Sequence, residues 1–345
     1  MRGREPAQGP HGCSLPLIWE GGVARRVEQA MPASSAGATG GRADIVLTVA
    51  AFAAVYLIWG STYLGIAVAV AHLPALAMAG ARFLVPGAVM LAWAVHRHGW
   101  PSRRAWMWGA VTGALMLGAG NGFLSLAEQR MPSGVAALVV ATVPIWMAVL
   151  EWFPPHRRRP RPAVVVGLAL GLTGVATLAW NPDGWRGGLD PRYILLVATG
   201  SLAWAFGSLL GRDKHAGMPL VQVLAVQMTS AGMLLLAAGT ALGEWRGFDI
   251  ARPPLVAWLA LAYLMVFGSV VALGAYHWLL RRQSAPLVGT YAFVNPIVAI
   301  ALGSMLLDEP FGKRLLSAAL LVVAGVATIL WSRGRNRPSA ARPTG

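Results

Sequence analysis

The chain of 345 residues is 56% hydrophobic, has a formal charge of +15, and gives only 12% of its positions to Asp, Glu, Lys and Arg, about half the share of a soluble domain. So few charges cannot clothe a water-exposed surface, which excludes a soluble globular fold and leaves a polytopic membrane protein. Basic residues fall in short stretches between apolar segments, with no basic–aromatic interleaving for nucleic acid. The single cysteine, Cys13, supports neither a disulfide framework nor a thiolate metal site.

Residues 1–43 are rich in Pro, Gly, Ser and Arg, and their longest apolar run, at 15–19, is shorter than the core of about 7–15 residues that a signal peptide needs. This segment is expected to be a disordered cytoplasmic tail, with Met31 as an alternative start of translation. From Ile45 onward, apolar stretches of about 20 residues, the length that spans a bilayer as a helix, alternate with short polar breaks. They predict ten helices at 45–70, 74–95, 105–127, 132–152, 162–180, 192–211, 219–243, 255–280, 285–307 and 312–332. Trp100, Trp106, Trp152, Trp180, Trp245 and Trp331 mark span ends, as an interfacial belt does. With the N-terminus in the cytoplasm, 20 basic residues fall in inside segments and 7 in outside loops, so both termini are expected inside. The segment at 333–345 is then a second cytoplasmic tail.

Two halves, 44–180 and 181–332, echo each other. Gly-Val-Ala-Thr-Leu-Ala-Trp at 174–180 returns as Gly-Val-Ala-Thr-Ile-Leu-Trp at 325–331. Pro144 matches Pro296, Gly122 matches Gly274, Trp59 matches Trp204, Arg82 matches Gln227, and Gly87 matches Gly232. Each half holds five spans, an odd number, so the second must enter the membrane inverted. The expected fold is therefore all-α, with ten transmembrane helices in two inverted five-helix repeats. Such repeats expose a central site alternately to the two sides.

The residues from Ile45 to Trp331 resemble the drug/metabolite transporter superfamily, in its ten-helix EamA-type branch. The resemblance rests on Trp59-Gly60-Ser61-Thr62, on Arg82-Phe83-Leu84 with Gly87, and on Pro132-Ser133-Gly134-Val135-Ala136-Ala137 running on to Pro144. Tyr291-Ala292-Phe293-Val294-Asn295-Pro296 and Asp308-Glu309-Pro310 complete it. The resemblance implies an inner-membrane permease that moves small metabolites, often amino acids or related compounds, outward. It does not imply one substrate.

Arg82 lies about eight residues into its span, roughly 12 Å deep at 1.5 Å per residue. A charge there costs at least about 2.5–3.5 kcal/mol unless it faces a partner or water. It suits a solute carboxylate or phosphate gripped by a two-pronged hydrogen bond, or a structural role pinning helix ends. Gln227, its repeat-mate, is expected at similar depth from the opposite side, either at the site or bonding a neighbouring helix. Asn121 between glycines, and Asn295 before Pro296, are placed to expose polar atoms in a cavity wall; Pro86 and Pro144 share that reading. Trp59, Tyr63, Trp204, Tyr276 and Tyr291 are candidate lining rings or plain packing. His277 is a possible proton relay or a core histidine.

Glu128 and Glu151 are the acidic residues near apolar runs, both toward span ends. Glu128 is the coupling candidate if it tucks inward. Gly167 and Gly171 read as a helix-packing pair. Paired intramembrane carboxylates, a nucleophile–base pair and a phosphate-cradling loop are all missing, which argues against an enzyme and an ATP-driven pump. The sequence thus predicts a secondary transporter without a cofactor, binding a small solute in the lipid bilayer as a monomer or homodimer, and exporting an amino acid or similar zwitterion or anion. Proton-coupled efflux of drugs or toxic cations, and a membrane sensor or scaffold, are the alternatives.

Overall fold

The computed structural model describes residues 40–151, 162–179, 190–215, 217–283, 288, 291–309 and 312–334. The proposed N-terminal tail up to residue 39, Trp152, Trp180, Pro310 and most of the C-terminal tail lie outside them. Ten apolar helical segments are described, one of them broken in two, and no strand occurs among these residues. In hydrocarbon every backbone N–H needs a partner within its own segment, and a helix supplies one. Six helices are long and apolar enough to cross a membrane: α1 (Asp44–Val70), α2 (Ala75–His98), α3 (Arg103–Glu128), α6 (Pro191–Lys214), α7 (Leu220–Ala241) and α8 (Leu255–Leu280). Shorter apolar helices supply α4 (Ser133–Val140 and Val143–Leu150), α5 (Pro162–Ala179), α9 (Tyr291–Leu306) and α10 (Lys313–Gly334). Starts are set by residues that cannot continue a helix backwards. Pro74, Pro219 and Pro254 precede α2, α7 and α8, and the Ser102 hydroxyl accepts from the Ala105 N–H at the start of α3.

The predicted spans meet these helices within a few residues, with one correction; the start expected for the ninth, at 285–290, lies mostly outside the described residues. The stretch expected as a single helix at 132–152 is two, Ser133–Val140 and Val143–Leu150. Thr142 turns its hydroxyl back to the Val139 carbonyl at 2.6 Å, and Pro144 has no N–H to continue the ladder. Three helices also carry π turns: α1 at Ala54–Ile58, α3 at Ala114–Asn121 and α8 at Leu264–Ala272. The last two overlap when one repeat is laid on the other.

Packing follows the repeat. α1 lies against α8 and α9, as α6 lies against α3 and α4; α2 packs on α7, and α5 on α10. Exchanging the halves leaves this set of neighbours unchanged. Apolar chains in lipid gain little by clustering, so close backbone approach at small residues must hold the helices together. A methyl group added at Gly87 would lie 2.7 Å from the Thr229 nitrogen, and one at Gly232 would lie 2.5 Å from the Leu84 nitrogen. With a repeat offset of 145 residues these are the same contact made twice, the signature of a two-fold interface. α5 and α10 repeat the pattern: Gly174 abuts Ala318 and Val322, while Gly325 abuts Gly167 and Gly171.

Two carboxylates tie this bundle across long sequence distances. Glu244, beyond α7, accepts from the Leu76 and Ala77 N–H groups at 3.0 and 2.9 Å. Glu309, beyond α9, accepts from Ser133 and Gly134 at 2.7 and 3.1 Å. Each neutralises the free donors at a helix start, where negative charge is favoured. The opposite ends of α2 and α7 meet through a neutral bond, Gln222 Nε2 to the Gly99 carbonyl at 3.1 Å.

Candidate functional site

A cavity lies where the two repeats meet. Its wall is built of repeat-equivalent positions facing one another. Trp59 and Trp204 meet edge to face with ring centres 6.0 Å apart. An offset of 152 residues pairs Asn121 with Leu273 and Val143 with Asn295, and all four line the space. The cavity therefore straddles the pseudo-two-fold axis, while its polar groups break the symmetry.

Arg82 enters this wall from α2, with 4% of its surface exposed. Its Nε donates to the Ser269 hydroxyl at 3.3 Å, its guanidinium stands 5.0 Å over the Phe83 ring, and its Nη1 has no acceptor. The π turn of α8 creates that setting. Ser269 donates to the Leu264 carbonyl five residues back, at 3.0 Å, which leaves its lone pairs for Arg82. Gly268 offers its carbonyl to the Trp59 indole N–H at 3.2 Å, and a side chain there would press on Arg82 and Thr62. Helical π turns recur at functional sites because they free such groups. The Trp204 indole N–H, on the opposite wall, is also buried without an acceptor.

Six of the seven binding positions expected from the sequence, Arg82, Asn121, Asn295, Trp59, Trp204 and Tyr291, line this one cavity, together with Tyr63. Asn295 is 4% exposed, and with its amide nitrogen turned inward it donates to the Tyr291 and Tyr56 carbonyls at 3.2 Å each. It thereby ties the proline-interrupted α9 to the π turn of α1.

Gln227 is the exception. The structure separates it from Arg82: its Nε2 donates to the Thr112 hydroxyl at 2.9 Å, and its backbone abuts Gly113 of α3. Once Thr112 is within reach, the buried amide takes that partner. Gln227 instead borders a second, larger space, with Arg212, His215, Tyr276 and His277. His277 Nδ1 is 3.0 Å from the Leu273 carbonyl, and Glu151 faces Arg212 at 3.8 Å. Tyr276 stands between the two spaces, with its ring 5.0 Å from Trp59 and 5.8 Å from Tyr291.

Glu128 does tuck inward. It is 6% exposed, neither carboxyl oxygen has a hydrogen-bond partner, and it sits one turn beyond Leu124 of the cavity wall. Arg82 and Tyr63 lie within its electrostatic reach. Gly268 and Ser201 of the wall, and Ser269 against Arg82, are among the site residues that the sequence did not single out for binding.

Comparison with known proteins completes the description. The EamA-like transporter family matches residues 46–180 and again 191–331. The uncharacterized inner membrane transporter YedA of Escherichia coli is 39% identical over 281 residues, covering 80% of this chain and 89% of that protein. A Salmonella typhimurium protein named Probable amino-acid metabolite efflux pump is 27% identical over 292 residues, or 79% of this chain and 91% of its own. The uncharacterized transporter YvbV of Bacillus subtilis is 25% identical over 276 residues, covering 79% and 88%. A solved crystal structure, 23% identical, superposes with a TM-score of 0.59 over 84% of this chain and 99% of its own, a likeness of fold.

Proposed function

This chain belongs to the EamA-like transporter family, and from that premise we propose that it carries a small carboxylate-bearing solute, an amino acid or similar zwitterion or anion, outward across the inner membrane by alternating access. The observation that carries this reading is Arg82, buried in the wall of the central cavity with Nη1 left without an acceptor. An unsatisfied buried donor costs about 1–3 kcal/mol, and more when charged. A solute carboxylate relieves that cost, and the Trp204 N–H offers it a further donor. The outward direction is assigned by likeness to the relative named an efflux pump.

With both termini in the cytoplasm, the larger space beside Gln227 is the cytoplasmic vestibule. The rings of Trp59, Tyr276 and Tyr291 then form the partition that a solute must pass. Opening the other face requires Glu244 or Glu309 to release a helix start. Ten helices enclose the path within one chain, so a monomer suffices.

The test is counterflow in proteoliposomes with pooled labelled amino acids, comparing wild type with Arg82→Gln. Losing a charge-assisted bond of about 1.5–3 kcal/mol predicts exchange reduced by about 10- to 100-fold in a variant that still elutes as a single folded species. Undiminished exchange in that variant would return Arg82 to a purely structural role. A second reading, proton-coupled efflux of cations, is favoured by the unpartnered carboxyl of Glu128. It predicts cation exchange that collapses in Glu128→Gln and is indifferent to carboxylates.

A further inference from the structure

The space beside Gln227 has a polar wall of its own. Arg212 and His215 stand three residues apart at the end of α6, one helical turn, so they share a face, and both line this space. Hydrogen bonds assign the imidazole proton. The single proton of the Thr112 hydroxyl points to the Trp108 and Gly109 carbonyls at 2.7 and 3.3 Å, and its oxygen accepts from Gln227. Its 3.3 Å contact with His215 Nε2 therefore has the imidazole as donor. Nδ1 is left as the acceptor. It abuts Gly211, another residue lining the space, which has no side chain to cover it. The Arg212 guanidinium makes two long ion pairs, Nη1 to Glu151 at 3.8 Å and Nε to Asp213 at 3.7 Å. Its side chain is half exposed, so water weakens both pairs, and an arriving carboxylate can take the planar fork in two parallel bonds instead.

Resting on the reading above that this chain carries an amino acid or similar zwitterion, we propose that Arg212 and His215 form a second solute site in the vestibule, where the guanidinium takes the carboxylate of an amino acid and the imidazole Nδ1 accepts from its ammonium group. The pairing separates a zwitterion from an anion. The ammonium finds a lone pair on Nδ1 while the imidazole is uncharged, the form that burial favours. A proton on Nδ1 turns that acceptor into a donor and sets two positive charges against each other. Amino-acid affinity here must therefore fall as the imidazole is protonated, whereas affinity for an anion without the ammonium must rise. The other charged or titratable groups around His215 are Arg212, Asp213 and Lys214 of α6, the last turned over the Trp108 ring at 4.8 Å, Glu151 of α4, and Tyr276 and His277 of α8. Of these, His277 titrates in the same range and needs its own control.

The experiment is equilibrium dialysis on the full chain in detergent micelles. One probe pool holds labelled alanine, valine, leucine and phenylalanine, and the other holds their four 2-oxo acids, which lack the ammonium group. Wild type should show two classes of amino-acid site. Arg82→Gln and Arg212→Gln should each weaken a different class by about 10- to 100-fold, both variants still eluting as a single folded species. In Arg82→Gln, the class that remains should lose up to about tenfold in amino-acid affinity per unit fall in pH below the imidazole range, and gain affinity for the 2-oxo acids. Adding His215→Gln should flatten that pH dependence, and adding His277→Gln should leave it. A single class in wild type, removed by Arg82→Gln and untouched by Arg212→Gln, overturns this inference and leaves the carboxylate reading intact. Affinity for both pools rising together as the pH falls overturns it in favour of a plain anion site. A pH dependence that survives His215→Gln overturns the role of Nδ1. Failure of both pools to bind overturns the carboxylate reading, and this inference with it.

Discussion

A methyl group at Gly232 probes whether the two repeats are held together by close approach of α2 and α7. Its nearest neighbours would be the Leu84 nitrogen at 2.5 Å and the Leu84 Cα and Cβ at 2.7 Å each. Two of these are backbone atoms of a helix, so rotating a side chain brings no relief. Reaching ordinary contact requires the helices to part by several tenths of an ångström. A gap of about 0.5–1 Å forfeits about a quarter to a half of the dispersion energy between facing atoms, here along the seam that buries Phe83, Met78, Leu224 and Met228. Overpacking of this kind costs about 1–3 kcal/mol, against at most about 1 kcal/mol recovered by replacing a helical glycine. Gly232→Ala should therefore destabilise the protein by about 1–2 kcal/mol. Gly274 of α8, with nothing within 4 Å of an added methyl group, is the control, and Gly274→Ala should be neutral or slightly stabilising. The assay is unfolding by SDS in mixed micelles, followed by tryptophan fluorescence. Adding Gly87→Ala to Gly232→Ala should cost less than the sum of the single changes, because both push the same pair of helices apart. Equal effects at Gly232 and Gly274, or strict additivity of the pair, would refute the argument.

Other changes should read out other parts of the structure. Glu309→Gln exchanges a charge-assisted pair of bonds at the start of α4 for weaker ones and should cost about 1–2 kcal/mol in the same titration, with Glu244→Gln behaving alike at α2. Gly268→Ala would set a methyl group 3.0 Å from Arg82 Nη2. A flexible guanidinium can yield to it, so the expected result is a several-fold weaker solute affinity in counterflow with little change in stability. Beyond the end of α6, burial holds the His215 imidazole below its ordinary 6.5, outweighing a backbone hydrogen bond near Trp108 that acts the other way. The unfolded chain then takes up this proton first, so His215 costs stability as the pH falls from about 6.5 through the lowered folded value, and the loss levels off below it. Unfolding titrations of wild type and His215→Gln across that window should show the slope only in wild type.

The ten helices were readable from the sequence because the hydrocarbon core fixes a minimum length, and polar breaks punctuate it at that spacing. The repeat was readable because paired prolines, glycines and tryptophans keep a nearly constant offset. The π turns left no comparable trace: runs such as Leu-Met-Val-Phe-Gly-Ser-Val-Val-Ala at 264–272 are apolar all round and carry no period to mark a widened turn. Ser269 consequently looks like any hydroxyl bonding back within its helix, until the five-residue step turns it toward Arg82. Gln227 was expected beside Arg82 on symmetry alone, but symmetry constrains backbones, and a side chain follows its nearest partner, here Thr112. The clips by Glu244 and Glu309 join residues 168 and 176 positions apart, and loop carboxylates give no sign of which helix start they will meet.

The facing positions of the cavity wall are matched in place and unmatched in chemistry: Asn121 opposes Leu273, Asn295 opposes Val143, and Arg82 has no charged counterpart at Gln227. On the proposed alternating-access reading, the openings to the two sides are related by the pseudo-two-fold axis, yet the groups left holding the cargo differ. Grip at loading and grip at release are therefore unequal. Gradients alone fix where net movement stops, so on that reading the inequality would act on speed and saturation, as a kinetic rectifier that empties faster toward the side on which its hold is weaker.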